Sequence, residues 1–167
     1  MDIFILRHGD AAVDTKKLVD DSKRSLSDVG ISEIENVSRL LALHKIELDY
    51  IFSSPLNRAK QTAKIISEKQ KKAKLIELDE LKPEGVKEDI VRTISKQNVE
   101  SKILIVGHNP LLLSLLNYII SSEEHAQIRI PLKTGSLARI KTISIDPQLK
   151  GDLFWLLSPK LIRKLSK

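Results

Sequence analysis

The chain has 167 residues, of which 28 are Lys or Arg and 22 are Asp or Glu, giving a formal net charge of +6. It contains no cysteine, which excludes disulfides, iron–sulfur clusters, thiolate zinc sites and thiol nucleophiles. No amino-terminal basic region leads into an apolar run, and no apolar stretch approaches the ~20 residues of a membrane span, so we expect a cytoplasmic protein with no membrane partner.

Size and composition predict one domain over residues 1–167, because a chain of this length buries roughly 70% of its unfolded surface and no linker divides it. A basic net charge can attract nucleic acid, but here the basic residues are spread along the chain. Aromatic residues make up only 4% of it, which leaves few platforms for stacking single-stranded bases. We therefore expect no nucleic-acid partner.

A short strand, a loop and a helix are predicted at the amino-terminal end. Residues 3–6 are consecutive apolar residues, a pattern typical of a strand buried on both faces. Residues 10–23 are polar and predict a long loop over a site, since loops of this length are often functional. Ser27 is a predicted helix N-cap, and apolar residues recur at helical spacing from there to His44.

The middle of the chain continues this alternation of strands and helices. Residues 49–52 predict a second strand. Ser54 and Pro55 then predict the start of a helix that runs to about residue 69, because Ser caps helices and Pro fits their first turn. The other elements predicted here are a strand over 74–78, a helix over 87–97, a strand over 102–106, and a helix over 110–120 with Asn109 as its cap and Pro110 at its first position.

The last third has no long helix between its strands. Residues 136–145 and 152–157 predict two strands joined by a turn, a pairing that is antiparallel. Ser158 and Pro159 begin a short basic amphipathic helix, which we expect to cover the sheet edge. The whole pattern favours an α/β fold with a mostly parallel, mixed sheet.

Two histidines and two arginines fall where predicted strands end or helices begin. Arg7 and His8 follow the first strand, and His108 follows the strand over 102–106. Arg58 lies in a first helical turn, where its side chain tilts back toward the helix start. Ligands of open α/β sheets bind at the carboxyl ends of the strands, so these four side chains are predicted to face one site. Chance is a poor account of two histidines there, because the chain has only four.

These residue types favour phosphate as the ligand. A guanidinium presents a planar fork of donors that suits phosphate oxygens, and helix amino termini add positive charge to the site. The same positive charge disfavours an imidazolium, so a ring nitrogen stays free. A neutral imidazole is a nucleophile that can split one phosphoryl transfer into two easier steps.

The motifs around these residues resemble those of the histidine phosphatase superfamily, which has the phosphoglycerate mutase-like fold. Residues 6–9 (LRHG) resemble its opening motif, residues 106–108 (VGH) its second histidine motif, and residues 53–62 (SSPLNRAKQT) the stretch with its second phosphate-binding arginine. The blocks that resemble the small SixA-type phosphohistidine phosphatases are residues 7–11, 24–27, 108–110 and 134–138, and Trp155 with residues 158–159. The resemblance spans nearly the whole chain and implies a three-layer αβα sandwich.

The resemblance also implies a role for each site residue. His8 would be the nucleophile that is transiently phosphorylated, and His108 would hydrogen-bond the transferring group. Arg7 and Arg58 would hold the phosphoryl oxygens, with no metal or other cofactor required. Arg24 would be a further anion contact at the mouth of the site.

The proton donor is left open. Glu80 lies about where larger relatives place a donor carboxylate, but a solvated loop carboxylate is an equally good interpretation. A phosphohistidine substrate leaves as an imidazole and demands less help from an acid. Glu84 is a weaker candidate. His44, near a helix end, and His125, in an acidic surface stretch, are assigned no role.

Four functions compete at this stage. The first removes phosphate from a phosphohistidine in a protein, and it is favoured because the short chain has no large insertion to roof the site. The second is a phosphatase or mutase that acts on a small phosphate ester with the same residues. The third is a metal-dependent phosphohydrolase using His8, His108 and Asp10, which the neighbouring arginines disfavour. The fourth is a non-enzymatic module for phosphorylated partners. We expect a monomer or a weak dimer.

Overall fold

The computed structural model of the chain describes residues 1–13, 20–121 and 128–167. Within these ranges six strands form one sheet. The strands are β1 (Asp2–Arg7), β2 (Tyr50–Ser53), β3 (Lys74–Glu77), β4 (Lys102–Gly107), β5 (Leu137–Ser144) and β6 (Lys150–Leu157). The α-helices are α1 (Asp28–Leu43), α2 (Asn57–Ser67), α3 (Lys87–Ser95), α4 (Leu111–Ile120) and α5 (Pro159–Leu165). Short 3₁₀ helices cover Asp21–Lys23 and Asp79–Leu81.

The sheet has the strand order β3-β2-β4-β1-β5-β6. β1 pairs with β4 in parallel, and β2 is parallel to both β4 and β3. β5 runs antiparallel to β1 and to β6. The predicted mostly parallel, mixed sheet is therefore confirmed, and β1, β2 and β4 end at the same edge.

Helices cover both faces of this sheet. Ile3 and Ile5 of β1 pack in a core with α3 and α4, whereas Phe4 and Leu6 pack in a second core with α1, α2 and α5. All four side chains are fully buried, and each such burial stabilises the fold by about 1.5–3 kcal/mol. The three-layer αβα sandwich is confirmed, and none of the helices in the described ranges is long and apolar enough to cross a bilayer.

The chain leaving β1 packs closely on α1. The hydroxyl of Ser27 accepts the N–H of Gly30, which confirms Ser27 as the N-cap of α1. A Cβ at Gly30 would lie 2.0 Å from the backbone oxygen of Asp10, so a side chain there would drive the two segments apart. The N–H of Asp10 donates to the Glu33 carboxylate at 3.0 Å, and the Asp10 carboxylate accepts from the Ser27 hydroxyl at 2.6 Å. These contacts fix the backbone two residues after His8.

The predicted start of α2 at Ser54 and Pro55 is wrong by two to three residues. α2 begins at Asn57, and the Leu56 position before it has no side-chain cap. Ser54 instead extends the sheet, because its N–H donates to the carbonyl of Val106 at 3.0 Å. Its hydroxyl accepts the N–H of Leu56, which precedes the helix, and does not accept an N–H from the first turn of α2.

The predicted cap of α4 is also wrong. Pro110 occupies the N-cap position, the helix begins at Leu111, and no side chain caps it. Asn109 points elsewhere, since its side-chain amide donates to the carbonyl of Leu132 at 2.9 Å. The amide nitrogen is thus held by a loop 23 residues away, and the Oδ1 atom that a cap would use has no partner among the described residues.

Smaller differences concern the ends of helices and strands, where terminal turns fray. α2 ends at Ser67 and α3 at Ser95, two residues earlier than predicted, and β6 begins at Lys150, two residues earlier. β3 is an edge strand with all four residues exposed. In the predicted loop over 10–23, residues 14–19 lie outside the described part, and the rest contains the 3₁₀ helix Asp21–Lys23.

Candidate active site

Two histidines meet where β1 and β4 end. Arg7 is paired with Gly107 in the parallel register, so His8 and His108 leave the sheet side by side. The N–H of His8 donates to the carbonyl of Gly107 at 3.1 Å. The two ring centroids are 4.9 Å apart, and the rings are 7% and 3% exposed. The sheet register thus places two buried imidazoles in contact at one edge.

Arg58 reaches these rings from the first turn of α2. Its Nε lies 3.3 Å from Nε2 of His8, and the residue is only 6% exposed. Thr62, one turn later, donates its hydroxyl to the carbonyl of Arg58 and accepts the N–H of Gly9. One threonine therefore ties the helix that carries the arginine to the residue after His8.

The protonation of His8 follows from its two partners. Nδ1 lies 2.7 Å from the carbonyl oxygen of Gly9, an acceptor, so Nδ1 carries the hydrogen. Nε2 of the neutral ring then has a lone pair, which faces the Nε–H donor of Arg58. This tautomer presents Nε2, the nitrogen that can form a bond to phosphorus, beside a fixed cation.

Both histidines are held neutral. Burial, with the positive charges of Arg58, Arg7 and Arg24, lowers the pKa of His8 to about 4, although the hydrogen bond to Gly9 opposes the shift. Burial also lowers the pKa of His108, to about 3, with further lowering by His8 and by the arginines. At neutral pH each ring therefore keeps one unprotonated nitrogen.

Arg7 is anchored at the inner side of the site. Its Nη1 donates to the carbonyl of Leu132 at 3.1 Å. The N–H of Gly135 closes over the strand end by donating to the carbonyls of Arg7 and His8, in a backbone conformation with φ +67° that favours glycine. Within the described residues the buried Nε of Arg7 has no partner. The guanidinium thus retains an unused donor.

His108 is oriented by a serine. Its Nε2 lies 2.9 Å from the hydroxyl of Ser54, and that hydroxyl already accepts the N–H of Leu56 at 3.3 Å. The serine proton is therefore free to be donated to Nε2, which leaves the hydrogen of the neutral ring on Nδ1. In the part of the chain that the structure describes, Nδ1 is buried without an acceptor. In this tautomer Nδ1 can donate a hydrogen bond to an anion.

Arg24 is joined to the site through an acidic residue that the sequence interpretation did not select. Nη1 of Arg24 lies 2.9 Å from one carboxylate oxygen of Asp21, and Nη2 of Arg58 lies 3.0 Å from the other. Nε of Arg24 donates to the carbonyl of Ala12 at 3.2 Å. The three-residue spacing of Asp21 and Arg24 could have indicated this ion pair from the sequence. The two residues lie in a polar loop with many other charged side chains, so the spacing did not stand out.

The other candidates lie away from these groups. Glu80 is half-buried in the 3₁₀ helix Asp79–Leu81 and, among the described residues, makes no hydrogen bond to the two histidines or their arginines. Its role as proton donor stays a prediction, as does that of Glu84. His44 is exposed at the end of α1, and His125 lies outside the described residues.

The described residues contain no group of three His, Cys, Asp or Glu placed to hold a metal ion. The grouping of His8, His108 and Asp10 considered from the sequence does not form, because the Asp10 carboxylate is bonded to Ser27. What the site offers instead is guanidinium donors around two neutral imidazoles. Charge-assisted donors of this kind suit a compact anion with several oxygens.

Comparison with known proteins agrees with this geometry. A model of the histidine phosphatase superfamily (branch 1) matches residues 3–89, more than half of the chain. The chain belongs to this superfamily. Membership supports a phosphatase, and the resemblance inferred from the motifs is confirmed.

Relatives in the histidine phosphatase superfamily match almost the full length. Phosphohistidine phosphatase SixA of Escherichia coli (strain K12) is 29% identical over 163 residues, 95% of this chain and 94% of that protein. The structure of the protein histidine phosphatase SixA complexed with tungstate has a TM-score of 0.80 and 26% identity, over 96% of this chain and 98% of that one. The crystal structure of the α-ribazole phosphatase from Shigella flexneri matches over 95% of this chain and 97% of that one, with a TM-score of 0.67. At 18% identity, that likeness shows the fold alone.

Proposed function

We propose that the protein is a phosphohistidine phosphatase that removes phosphate from a histidine of another protein through a covalent intermediate on His8. The observation that carries this proposal is the unprotonated Nε2 of His8, which lies 3.3 Å from Nε of Arg58. The full-length likeness to SixA, including a SixA structure that binds the oxyanion tungstate, supports it.

The reaction has two displacements in line. In the first, Nε2 of His8 forms a bond to phosphorus as the bond between phosphorus and the substrate imidazole breaks, and the departing ring takes a proton from solvent. In the second, water attacks the phosphorus, the bond to His8 breaks, and orthophosphate and a proton are released. His8 returns to its neutral form with Nδ1 still bonded to Gly9.

The remaining residues stabilise the phosphoryl group during both steps. Arg58 and Arg7 hold its oxygens, and the unpartnered Nδ1–H of His108 donates to one of them. Arg24 contacts the anion at the mouth of the site. In this proposal no metal ion takes part, because the arginines supply the positive charge.

The substrate class is tested by comparing kcat/KM for a phosphohistidine-bearing protein domain with kcat/KM for small esters such as phosphoserine or a sugar phosphate. We expect a preference of at least about 100-fold for the phosphoprotein, equivalent to roughly 2.7 kcal/mol of transition-state binding. A preference for the small esters would establish the second candidate, a small-ester phosphatase or mutase with the same site. The cytoplasmic location and the monomeric or weakly dimeric state stay predictions.

The pH dependence of kcat/KM should report the low pKa of His8. Protonation of Nε2 removes the nucleophilic lone pair, so the rate falls as the pH drops through the pKa of about 4, not through the usual 6.5. The native pKa values of His8 and His108 lie below the unfolded value, so their stabilising contribution is complete above about pH 6.5 and is lost as the pH falls toward 4. Circular dichroism at each pH separates loss of rate from loss of fold. An acid limb near 6.5 would contradict the prediction.

Replacing Ser54→Ala should disturb catalysis through His108. Without the serine donor the tautomer of His108 is no longer fixed, and we expect kcat to fall about 10-fold with a smaller change in KM. The matched control is Ser53→Ala, because Ser53 is equally buried but donates only to the carbonyl of Ser54. ¹⁵N chemical shifts of the His108 ring report the tautomer directly. Equal losses in the two variants, with unchanged ring shifts, would refute the assigned role.

A further inference from the structure

Asp21 occupies the outward side of the arginines proposed to bind phosphate. Its backbone carbonyl accepts from Nη1 of Arg58 at 2.8 Å, and one carboxylate oxygen lies 3.0 Å from Nη2 of the same guanidinium. The other carboxylate oxygen lies 2.9 Å from Nη1 of Arg24. One acidic side chain thus bridges two guanidiniums with its two oxygens, an arrangement that a phosphoryl group would also adopt.

The Asp21 carboxylate lies near the two histidines, and its side chain has room to move away from the arginines into solvent. Its negative charge opposes the lowering of the pKa of His108, which places it within electrostatic reach of that ring. Its side chain is 59% exposed, whereas that of Arg58 is 8% exposed. The arginine is therefore the fixed partner of this ion pair, and Asp21 is the partner with access to solvent.

We propose that Asp21 is an internal anion that holds Arg58 and Arg24 in the free protein and gives way to the incoming phosphoryl group, so that it sets how tightly phosphate is held. The inference rests on the proposed function only in naming phosphate as the anion. A phosphoryl oxygen and the Asp21 carboxylate compete for the same N–H donors of Arg58 and Arg24. The negative charges of the phosphoryl group and the carboxylate also repel each other when both are near these donors. The competition weakens the binding of substrate and of product orthophosphate together.

A purely structural role accounts less well for this arrangement. Ion pairs with an exposed partner contribute little to stability, so the pairs made by Asp21 have a small effect on folding. The 3₁₀ helix has its own cap, since the carboxylate of Asp20 accepts the N–H of Ser22 at 3.0 Å. The turn is therefore held without the Asp21 side chain, whose main contacts are the two arginines.

The test is the affinity of the protein for inorganic phosphate, measured by isothermal titration calorimetry on the full chain. Asp21→Asn removes the charge, and Asp21→Ser also removes the carbonyl oxygen that Asn could still offer to Arg58. We expect each variant to bind phosphate about 10-fold more tightly than the wild type, since 1.4 kcal/mol of lost competition is tenfold in affinity. KM for the phosphorylated substrate should fall by a similar factor.

Asp20→Asn is the matched control. It makes the same change of charge on the same turn, Asn can also cap a helix, and Asp20 does not contact the arginines in the described structure. We expect it to leave phosphate affinity within about twofold of the wild type. Thermal unfolding of all three variants shows whether each remains folded.

Three results would overturn the proposal. Unchanged or weaker phosphate binding by the Asp21 variants would show that Asp21 positions the arginines and does not compete for them. Equal tightening in the Asp20 and Asp21 variants would show a long-range charge effect. A large fall in kcat without a change in affinity would show that Asp21 acts in the chemical step and not in phosphate binding. Failure of the proposed function is a separate outcome, in which the wild type binds phosphate but does not release it from phosphohistidine.

Discussion

His8→Ala is expected to lower kcat/KM for a phosphohistidine substrate by about 10⁴-fold or more, because it removes the atom that forms the covalent intermediate in the proposed mechanism. The ring is buried, its Nδ1 is bonded to the carbonyl of Gly9, and its unprotonated Nε2 faces Nε of Arg58. The wild type, quenched during turnover, should carry acid-labile phosphate on His8, and the variant should carry none. Peptide mass spectrometry under alkaline conditions locates the modification.

His44→Ala is the control for this experiment, because His44 is exposed at the end of α1 and away from the site. It should retain the rate and the labelled peptide. Phosphate trapped on another residue would show that this other residue, and not His8, is the nucleophile. A His8 variant that keeps its activity but loses it to a chelator, with recovery on adding a divalent cation, would restore the metal-dependent alternative.

The strand ends of this protein could be predicted from sequence because a buried parallel strand has a strong local pattern. Residues 3–6 and 103–106 are continuous apolar runs, and the residues of the site follow each run within two positions. The parallel register then brings the two histidines together, since Arg7 pairs with Gly107. Arg58 could be placed because a side chain in a first helical turn leans toward the helix start.

The sequence does not determine which side chains form hydrogen bonds to the two histidines and Arg58. Ser54 was interpreted as a helix cap, but its hydroxyl meets His108, which lies 54 residues away in the chain. Asn109 was interpreted in the same way, but it meets a carbonyl 23 residues away. Short polar side chains bond whichever group the tertiary fold brings near, and local pattern cannot distinguish these choices. Asp21 was missed for the same reason, since its partner Arg58 comes from another element.

These long-range contacts explain why the site is more polar and more fixed than its strand pattern indicates. Gly9, Thr62 and Arg58 are joined by successive hydrogen bonds, so the loop after β1 is connected to the first turn of α2. A shift of α2 would therefore displace both Arg58 and the backbone of Gly9, which orients His8. Positioning of this kind is worth large rate factors, because small misplacements of reacting atoms are costly.

Arg58→Gln is expected to lower kcat/KM by about 10²–10³-fold, the usual effect of removing one donor that stabilises transition-state charge. Arg58→Lys should recover only part of the loss, because it restores the charge but not the planar fork or the Nε donor to His8. The exposed Arg39, which contacts only Asn36 on its own helix in the described structure, gives the control Arg39→Gln, with no expected change.

A second readout separates a direct role of Arg58 from general damage to the fold. Burial is the main cause of the low pKa of His8, and the positive charge of Arg58 lowers it further, so removal of this charge should raise the pKa above about 4 but only part of the way to the ordinary value. The acid limb of the pH–rate profile should therefore move to higher pH in Arg58→Gln and stay in place in Arg58→Lys. A uniform loss of rate at every pH, with the limb unmoved in Arg58→Gln, would mean that the arginine does not act on the nucleophile.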